Sequence, residues 1–341
     1  MSVDTAYTLD PTLPPDNCTT PSQLTYQILA SVMIGQFILG LPLNLSVLYI
    51  FIFRYKFWKN KSIFLFNIVV ADFLLVVWLP VKAYHYLQGY RHSTDLVLCK
   101  IMLFMLFLNR GASIAFLITL SLDRYFNVVH LGRKNCVKIL KKSPQISLVI
   151  WLLLLPLTIP TMVRTFDCCN SHGRFNETYY SNLTDTFREI VFFTQIIIPF
   201  IILVFCTVRV VNRLRKKTVG DRTKLQRAVW VVLAVVFVFS LCFLPCAISR
   251  AVLLYVRIKD NQKAEDVMVQ VYDSLMVLSY IDCLLDPLVY CFCNTGFKNA
   301  YISNFFPSFL QEKLLSADSG TATNTTTNSG GRTIFIAATE K

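Results

Sequence analysis

Residues 96–129 read LVLCKIMLFMLFLNRGASIAFLITLSLDRYFNVV. A helix rises about 1.5 Å per residue, so this run spans a hydrocarbon core of about 30 Å with turns to spare. Asp123-Arg124-Tyr125 lies near its far end. An ionic tripeptide closing such a run fits no soluble core and suits a membrane–water boundary.

Six more runs flank it: 26–53, 62–87, 144–164, 187–214, 224–256 and 267–292. Each exceeds the roughly 20 residues a helix needs to cross. The chain has 341 residues, of which 55% are hydrophobic and 16% charged. Soluble domains carry about 25% charge, so this chain is depleted. The expected fold is all-α: a seven-helix transmembrane bundle at 26–292, an N-terminal tail at 1–25, a short amphipathic helix at 293–306 and a disordered tail at 307–341.

Charge sets the orientation. Loops 54–61, 130–143 and 212–224 total +14, whereas the N-terminal tail and the alternate loops total −5. Lys and Arg mark cytoplasmic loops, so the N-terminus is expected outside. The net charge of +13 is therefore topogenic, and nucleic-acid binding is excluded as its purpose. Residues 1–25 contain no apolar core, so no cleaved signal is expected and the first helix serves instead. The sequons at Asn17, Asn176 and Asn182 fall outside and are candidate glycan sites. Those at Asn44, Asn60 and Asn324 fall in a helix or inside and are silent. Cys18, Cys99, Cys168 and Cys169 also lie on the oxidising side. Cys99 is expected to join Cys168 or Cys169, with Cys18 taking the other; the adjacent cysteines leave the pairing open. Cys206, Cys242, Cys246, Cys283 and Cys291 sit in runs as small apolar groups, and Cys136 and Cys293 face inward, Cys293 as a lipidation candidate.

Intramembrane polar groups are costly and mark function. Asn44 reads as an interhelical hydrogen bond and Asp72 as part of a water-filled or ion-binding pocket. Pro80, Pro156, Pro160, Pro199, Pro245 and Pro287 interrupt runs and offer hinges.

Arg110 is the main candidate for recognition. It stands 14 residues before Arg124, about 21 Å along the same helix and on nearly the same face. It is 11 residues past Cys99, about 16 Å from that end. A buried guanidinium cannot deprotonate and needs an anion. Asp72, Asp282 and Asp286 belong to the deeper half and Glu189 to the outer end of the fifth run, so a ligand carboxylate is the expected partner. Lys82, about 15 Å along its helix from Asp72, and Arg250, five residues past Pro245, carry no obvious partner and extend an electropositive vestibule. Tyr86, one turn beyond Lys82, joins the candidate ligand-binding set.

Taken in order, these landmarks resemble the rhodopsin-like (class A) G-protein-coupled receptors. They are Gly40-Leu-Pro-Leu-Asn44, Val70-Ala-Asp-Phe73, Cys99, Asp123-Arg124-Tyr125, Trp151, Pro199, Cys242-Phe-Leu-Pro245 and Asp286-Pro-Leu-Val-Tyr290. The resemblance implies a pocket opening outward and a cytoplasmic cleft for a heterotrimeric G protein. It gives Asp123, Arg124, Tyr125, Phe243, Pro245, Asp286, Pro287 and Tyr290 roles in coupling and switching. Phe243 stands where the family usually has Trp, and Thr207 where many members have Tyr. Leu106 replaces the acid of amine receptors, Tyr280 the retinal lysine of opsins, and Met276 the acid of many chemokine receptors.

Within that family, Phe64-Leu-Phe-Asn67, Leu103-Phe-Met105, Asn109-Arg110, Asp123 to His130 and Cys242 to Pro245 resemble the hydroxycarboxylic-acid and oxo-eicosanoid receptor subgroup. There the Arg matching Arg110 anchors a ligand carboxylate, Arg250 matches an Arg, and Ser279 and Tyr280 match ligand-lining positions. The subgroup couples to inhibitory Gi/o proteins and lowers cyclic AMP. Gly40–Asn44 and Lys82 lean toward its oxo-eicosanoid side. Leu131 replaces a frequent Pro, and the third outer loop lacks a Cys found in some members. Asp282 replaces a usual Asn, so Asp72, Asn109, Ser113, Asp282 and Asp286 form a candidate allosteric sodium site with three acids.

Residues 295–306 place aromatics at helical spacing for an inner-leaflet helix. The Ser/Thr-rich tail, including Ser316, Ser319, Thr321 and Thr323, offers receptor-kinase sites for arrestin recruitment. The expected protein is a plasma-membrane receptor for a small organic anion, and no enzyme. No metal-spaced His pair or Gly-x-Ser-x-Gly occurs, the four His being scattered at 85, 92, 130 and 172. A channel or transporter is disfavoured by seven spans without an inverted repeat. A receptor for another anionic ligand or for a peptide, with a structural Arg110, is the remaining alternative.

Overall fold

In lipid every backbone polar group must be satisfied within the protein, so long apolar runs fold as helices. The computed structural model describes residues 19–54, 62–93, 95–129, 143–158, 179–216, 222–259, 261–293, 295–307 and 311. The helices are α1 (Gln23–Tyr49, continued by a π-helical turn at Ile50–Arg54), α2 (Ser62–Leu87), α3 (Leu96–Val129), α4 (Ser143–Thr158) and α5 (Tyr179–Lys216). They continue with α6 (Arg222–Cys242), α7 (Leu244–Ile258), α8 (Gln262–Ser279), α9 (Asp282–Cys293) and α10 (Thr295–Phe305). Among the described residues the β pairing is an isolated bridge between Thr19 and Tyr90.

Six spans are long and apolar enough to cross a bilayer; α4, described over 16 residues, is a shorter seventh. Its apolar run continues into residues outside the described set. The sixth span comprises α6 and α7, and the seventh comprises α8 and α9. Large apolar side chains such as Ile38, Leu152, Ile197, Phe237 and Ile248 point outward. That surface suits lipid.

The bundle packs around α3, whose Leu108, Ala112, Phe116, Leu117 and Leu120 enter the main core. Gly111 permits close packing, because a Cβ there would sit 2.7 Å from Leu154 Cδ2 of α4. Asn67 of α2 donates to Ser147 Oγ at 3.2 Å and accepts from Trp151 Nε1 at 2.8 Å. These bonds tie α2 to α4.

Two interruptions differ from the uniform runs read in the sequence. The sixth span breaks at Phe243, with Pro245 in the first turn of α7. A proline there lacks only an N–H that a helix start leaves unpaired. The seventh span breaks at Tyr280 and Ile281, where Ile281 N bonds back to Leu278 O at 3.0 Å. Val277 O accepts from Tyr280 N at 3.3 Å and from Gln36 of α1, whose Nε2 donates to it at 2.9 Å. Pro287 likewise has no N–H for Cys283 O. Asn44 Nδ2 donates to that carbonyl at 3.0 Å. The interhelical bond expected of Asn44 is present, and the proline explains its placement.

The fifth helix begins at Tyr179, eight residues before its apolar run at Phe187. Polar residues propagate a helix beyond the lipid, so hydropathy marks only the immersed part. Asn182 consequently lies on helical backbone rather than in the expected loop. The short amphipathic helix expected at 293–306 appears as α10. It buries Phe297 and Ile302 and stacks Phe297 on Phe51 at 5.1 Å.

Candidate functional site

At the end of the bundle carrying Cys99, α2, α3, α5, α7 and α8 surround a cavity of about 900 Å³, open mouth included. Leu103, Leu106, Phe107, Phe192 and Met276 give it apolar walls.

Arg110 lines this cavity and is 6% exposed. One guanidinium NH2 donates to Met276 Sδ at 2.6 Å, and the group lies 5.3 Å from the Phe192 ring centroid. Among the described residues no carboxylate lies within ion-pairing distance. Thioether and ring soften the desolvation of the cation but do not neutralise it. The inward-facing position read from the 14-residue spacing agrees with its place on the cavity wall.

Lys82 and Tyr86 also line the cavity. Lys82 Nζ donates to the Tyr280 hydroxyl at 2.9 Å and lies over the rings of Tyr86 and Tyr280, 5.5 and 5.2 Å from their centroids. Tyr280 therefore sits behind Lys82. The Ser279 hydroxyl turns onto its own helix and donates to Met276 O at 2.7 Å. Neither Ser279 nor Tyr280 belongs to the cavity lining, unlike the other four expected ligand residues.

The third expected cation has a partner. Arg250 forms a fork on Glu189 of α5: Nε donates to Oε2 at 3.1 Å and NH2 to Oε1. The sequence reading left Arg250 unpaired because nothing local relates α7 to the lipid-exit turns of α5.

A second ion pair was missed altogether. Arg91, between α2 and α3, grips Asp273 of α8 through Nε to Oδ2 and NH2 to Oδ1, the latter at 2.7 Å. Tyr26 of α1 donates to Asp273 Oδ2 at 2.5 Å, and its ring meets Tyr86 edge-on at 4.8 Å. Asp273, Met276 and Tyr280 fall at i, i+3 and i+7, so one helical stripe carries all three, a signal available in the sequence. Burial alone would lower the Arg91 pKa, but Asp273 holds it above its ordinary value. Burial, reinforced by the neighbouring Arg91 charge, pushes His92 down to about 3.

Deeper, Asp72, Asn109, Ser113, Asp282 and Asp286 are all buried. Ser113 Oγ donates to Asp286 Oδ2 at 3.5 Å. Asp282 Oδ1 accepts from Cys283 N at 2.7 Å, at the start of α9. Among the described residues no three His, Cys, Asp or Glu gather at metal-binding spacing.

At the opposite end, Asp123 and Tyr125 are buried. Asn127 Nδ2 donates to Asp123 Oδ1 at 2.8 Å. Tyr125 packs with Cys206 and Val210 of α5 and Val229 and Val232 of α6. Phe243 is buried at the break of the sixth span, with its ring 5.3 Å from Phe239. Phe239 stacks on Phe200 at 6.0 Å. Thr207 donates to Leu203 O at 2.8 Å on its own helix.

Cys99 is disulfide-bonded. Its candidate partners Cys168 and Cys169 lie outside the described residues, as do Cys18, Asn17, Asn176 and the Tyr290 side chain.

A cation-lined cavity at one end, a buried polar core and an ionic motif at the other belong to one membrane-spanning helical bundle. Residues 43–290 match the 7 transmembrane receptor (rhodopsin family), and the chain belongs to that family: it is a multi-pass G-protein-coupled receptor and not an enzyme. It is 32% identical to the 12-(S)-hydroxy-5,8,10,14-eicosatetraenoic acid receptor of Mus musculus, over 84% of this chain and 91% of that one. It is 32% identical to Hydroxycarboxylic acid receptor 2 of Rattus norvegicus, over 81% and 77% of the two chains. With Oxoeicosanoid receptor 1 of Homo sapiens it shares 28% identity over 82% and 72%.

Proposed function

We propose that this receptor binds an organic acid in the Cys99-end cavity, with Arg110 clamping the carboxylate. The carrying observation is a guanidinium 6% exposed, at a cavity wall, with no carboxylate partner among the described residues. Such a charge is stable only when an anion completes it. A fork of parallel N–H donors suits a carboxylate. Lys82 and Tyr86 line the same space, and the apolar walls suit a hydrocarbon body. The names of the relatives, receptors for a hydroxylated eicosatetraenoic acid, hydroxycarboxylic acids and an oxoeicosanoid, support the class.

Acid binding biases a two-state bundle. The break at Phe243 and Pro245 is the hinge, and the Arg124 end opens to a heterotrimeric G protein of the Gi/o class, lowering cyclic AMP. The N-terminus faces outward at the plasma membrane, in keeping with the basic loops at the Arg124 end. The C-terminal Ser/Thr tail recruits arrestin after receptor-kinase phosphorylation. Asp72, Asn109, Ser113, Asp282 and Asp286 would hold an allosteric sodium ion, whose charge would offset their buried carboxylates.

The test is a screen of carboxylic acids from three to twenty carbons, read as inhibition of cyclic AMP on wild type and Arg110→Ala. An active acid whose effect Arg110→Ala abolishes supports the reading. An agonist whose potency survives Arg110→Ala overturns it and favours a peptide or other ligand, with the Met276 and Phe192 contacts making Arg110 structural.

A further inference from the structure

The cavity does not offer all its cations to a ligand. Arg250, 11% exposed at its side chain, is forked on Glu189. Arg91 is forked on Asp273, with Tyr26 bonded to the same carboxylate. All four charged groups belong to the cavity lining. Both pairs are supported from outside: Arg250 also lies 5.3 Å from the Tyr272 ring centroid, and Arg91 and Asp273 are almost wholly buried. Arg110 differs, with sulfur and ring neighbours but no acid. The lining thus holds two cations with no carboxylate partner among the described residues, Arg110 and Lys82, and beside them two carboxylates that already occupy two arginines, Glu189 with Arg188 a further 3.8 Å away.

We propose that Glu189 is a specificity residue acting as a built-in counter-anion, and that it restricts the site to acids bearing a single negative charge. This rests on the reading that Arg110 clamps a carboxylate. A mono-acid meets Arg110 and lays its neutral body against Leu103, Leu106, Phe107 and Phe192. A di-acid of equal length brings a second carboxylate toward the mouth. There it finds Arg250 taken and faces Glu189 and Asp273, like charges in a space poorly screened by water. Rejecting the wrong partner by placing like charge against it is a general route to specificity. Asp273 contributes in the same sense, but its bonds to Arg91 and Tyr26 also hold α1 and α8 together, so Glu189 is the cleaner probe. Truncating one partner of a paired charge leaves the other exposed to new anions, so Glu189→Gln turns Arg250 from a spent cation into a second anchor.

The experiment uses the full-length receptor purified in detergent. Binding of straight-chain mono-acids and α,ω-di-acids of eight, twelve and sixteen carbons is measured on wild type, Glu189→Gln, Arg110→Ala and the swap Glu189→Arg with Arg250→Glu. Wild type is expected to bind the mono-acid at least about tenfold more tightly than its di-acid. Glu189→Gln is expected to tighten the di-acid about tenfold while moving the mono-acid less than about threefold. The swap restores an ion pair and, with it, the mono-acid preference. Glu189→Gln that leaves the di-acid to mono-acid ratio unchanged overturns the proposal, as does equal binding of both acids by wild type; in either case a loss of mono-acid binding on Arg110→Ala leaves the carboxylate reading intact. Wild type that binds no acid, or Arg110→Ala that binds all of them as wild type does, overturns the carboxylate reading and this proposal together.

Discussion

Asn44 donates its side-chain amide to the carbonyl of Cys283 at 3.0 Å, the acceptor that Pro287 deprives of a helical donor. A hinge in the seventh span is thereby sealed by the first helix. Eight residues earlier, Gln36 adds a second donor to Val277 O, which Tyr280 N reaches at 3.3 Å, beside the Tyr280 break. The seventh span can bend because α1 satisfies what bending exposes.

Replacing Asn44 by Ala is expected to cost about 1–3 kcal/mol, the penalty for a buried polar group left without its partner. Thermal unfolding of the purified receptor measures it. Unchanged stability would mean that water or another side chain reaches the Cys283 carbonyl.

Gly111→Ala is expected to destabilise by about 1–3 kcal/mol through overpacking, because its Cβ would come within 2.7 Å of Leu154 Cδ2. Leu154→Ala in the same chain should return most of that loss. A double mutant no more stable than Gly111→Ala would place the strain elsewhere.

Asp273→Ala strands the buried Arg91 guanidinium and is expected to cost about 3–5 kcal/mol. Tyr26→Phe removes one hydrogen bond to the same carboxylate and should cost about 1 kcal/mol. The order of the two losses is checked by the fraction of receptor reaching the cell surface and by its melting temperature.

His92 supplies the pH prediction. Burial and the Arg91 charge depress it to about 3 in the folded protein, whereas an unfolded histidine titrates near 6.5. Between these values the unfolded chain binds the extra proton, so stability rises with pH and is lost as pH falls from about 6.5 toward 3. His92→Gln should flatten that acid-side loss. Melting curves from pH 4 to 8 measure it, and parallel profiles for variant and wild type would contradict it.

Much of this architecture is legible in residue order. Apolar length reveals spans, and counting turns from Arg124 puts Arg110 at the right depth. The i, i+3, i+7 relation of Asp273, Met276 and Tyr280 was equally available. Other features are not legible, for stated reasons. The Arg250–Glu189 fork joins residues 61 apart, and the break at Phe243 resets the rotation of α7 against α5. Arg91 stands outside the helices, where no periodicity fixes a side chain. Ser279 has a choice between cavity and backbone, and a local bond to Met276 O takes it. The outward extension of α5 carries no hydropathy because it lies beyond the lipid.

The amides that close the seventh span have a consequence during synthesis. Gln36 and Asn44 meet their acceptors 241 and 239 residues later in the chain. At roughly 5–20 residues per second, α1 waits about ten to fifty seconds in the bilayer before those carbonyls are made. Throughout that interval Asn44 has only the Gly40 carbonyl of its own helix, at 3.0 Å, and the Gln36 acceptor does not yet exist. The nascent first helix must borrow partners, from a neighbouring helix, from water drawn into the membrane or from the insertion machinery, and surrender them when the last helix arrives.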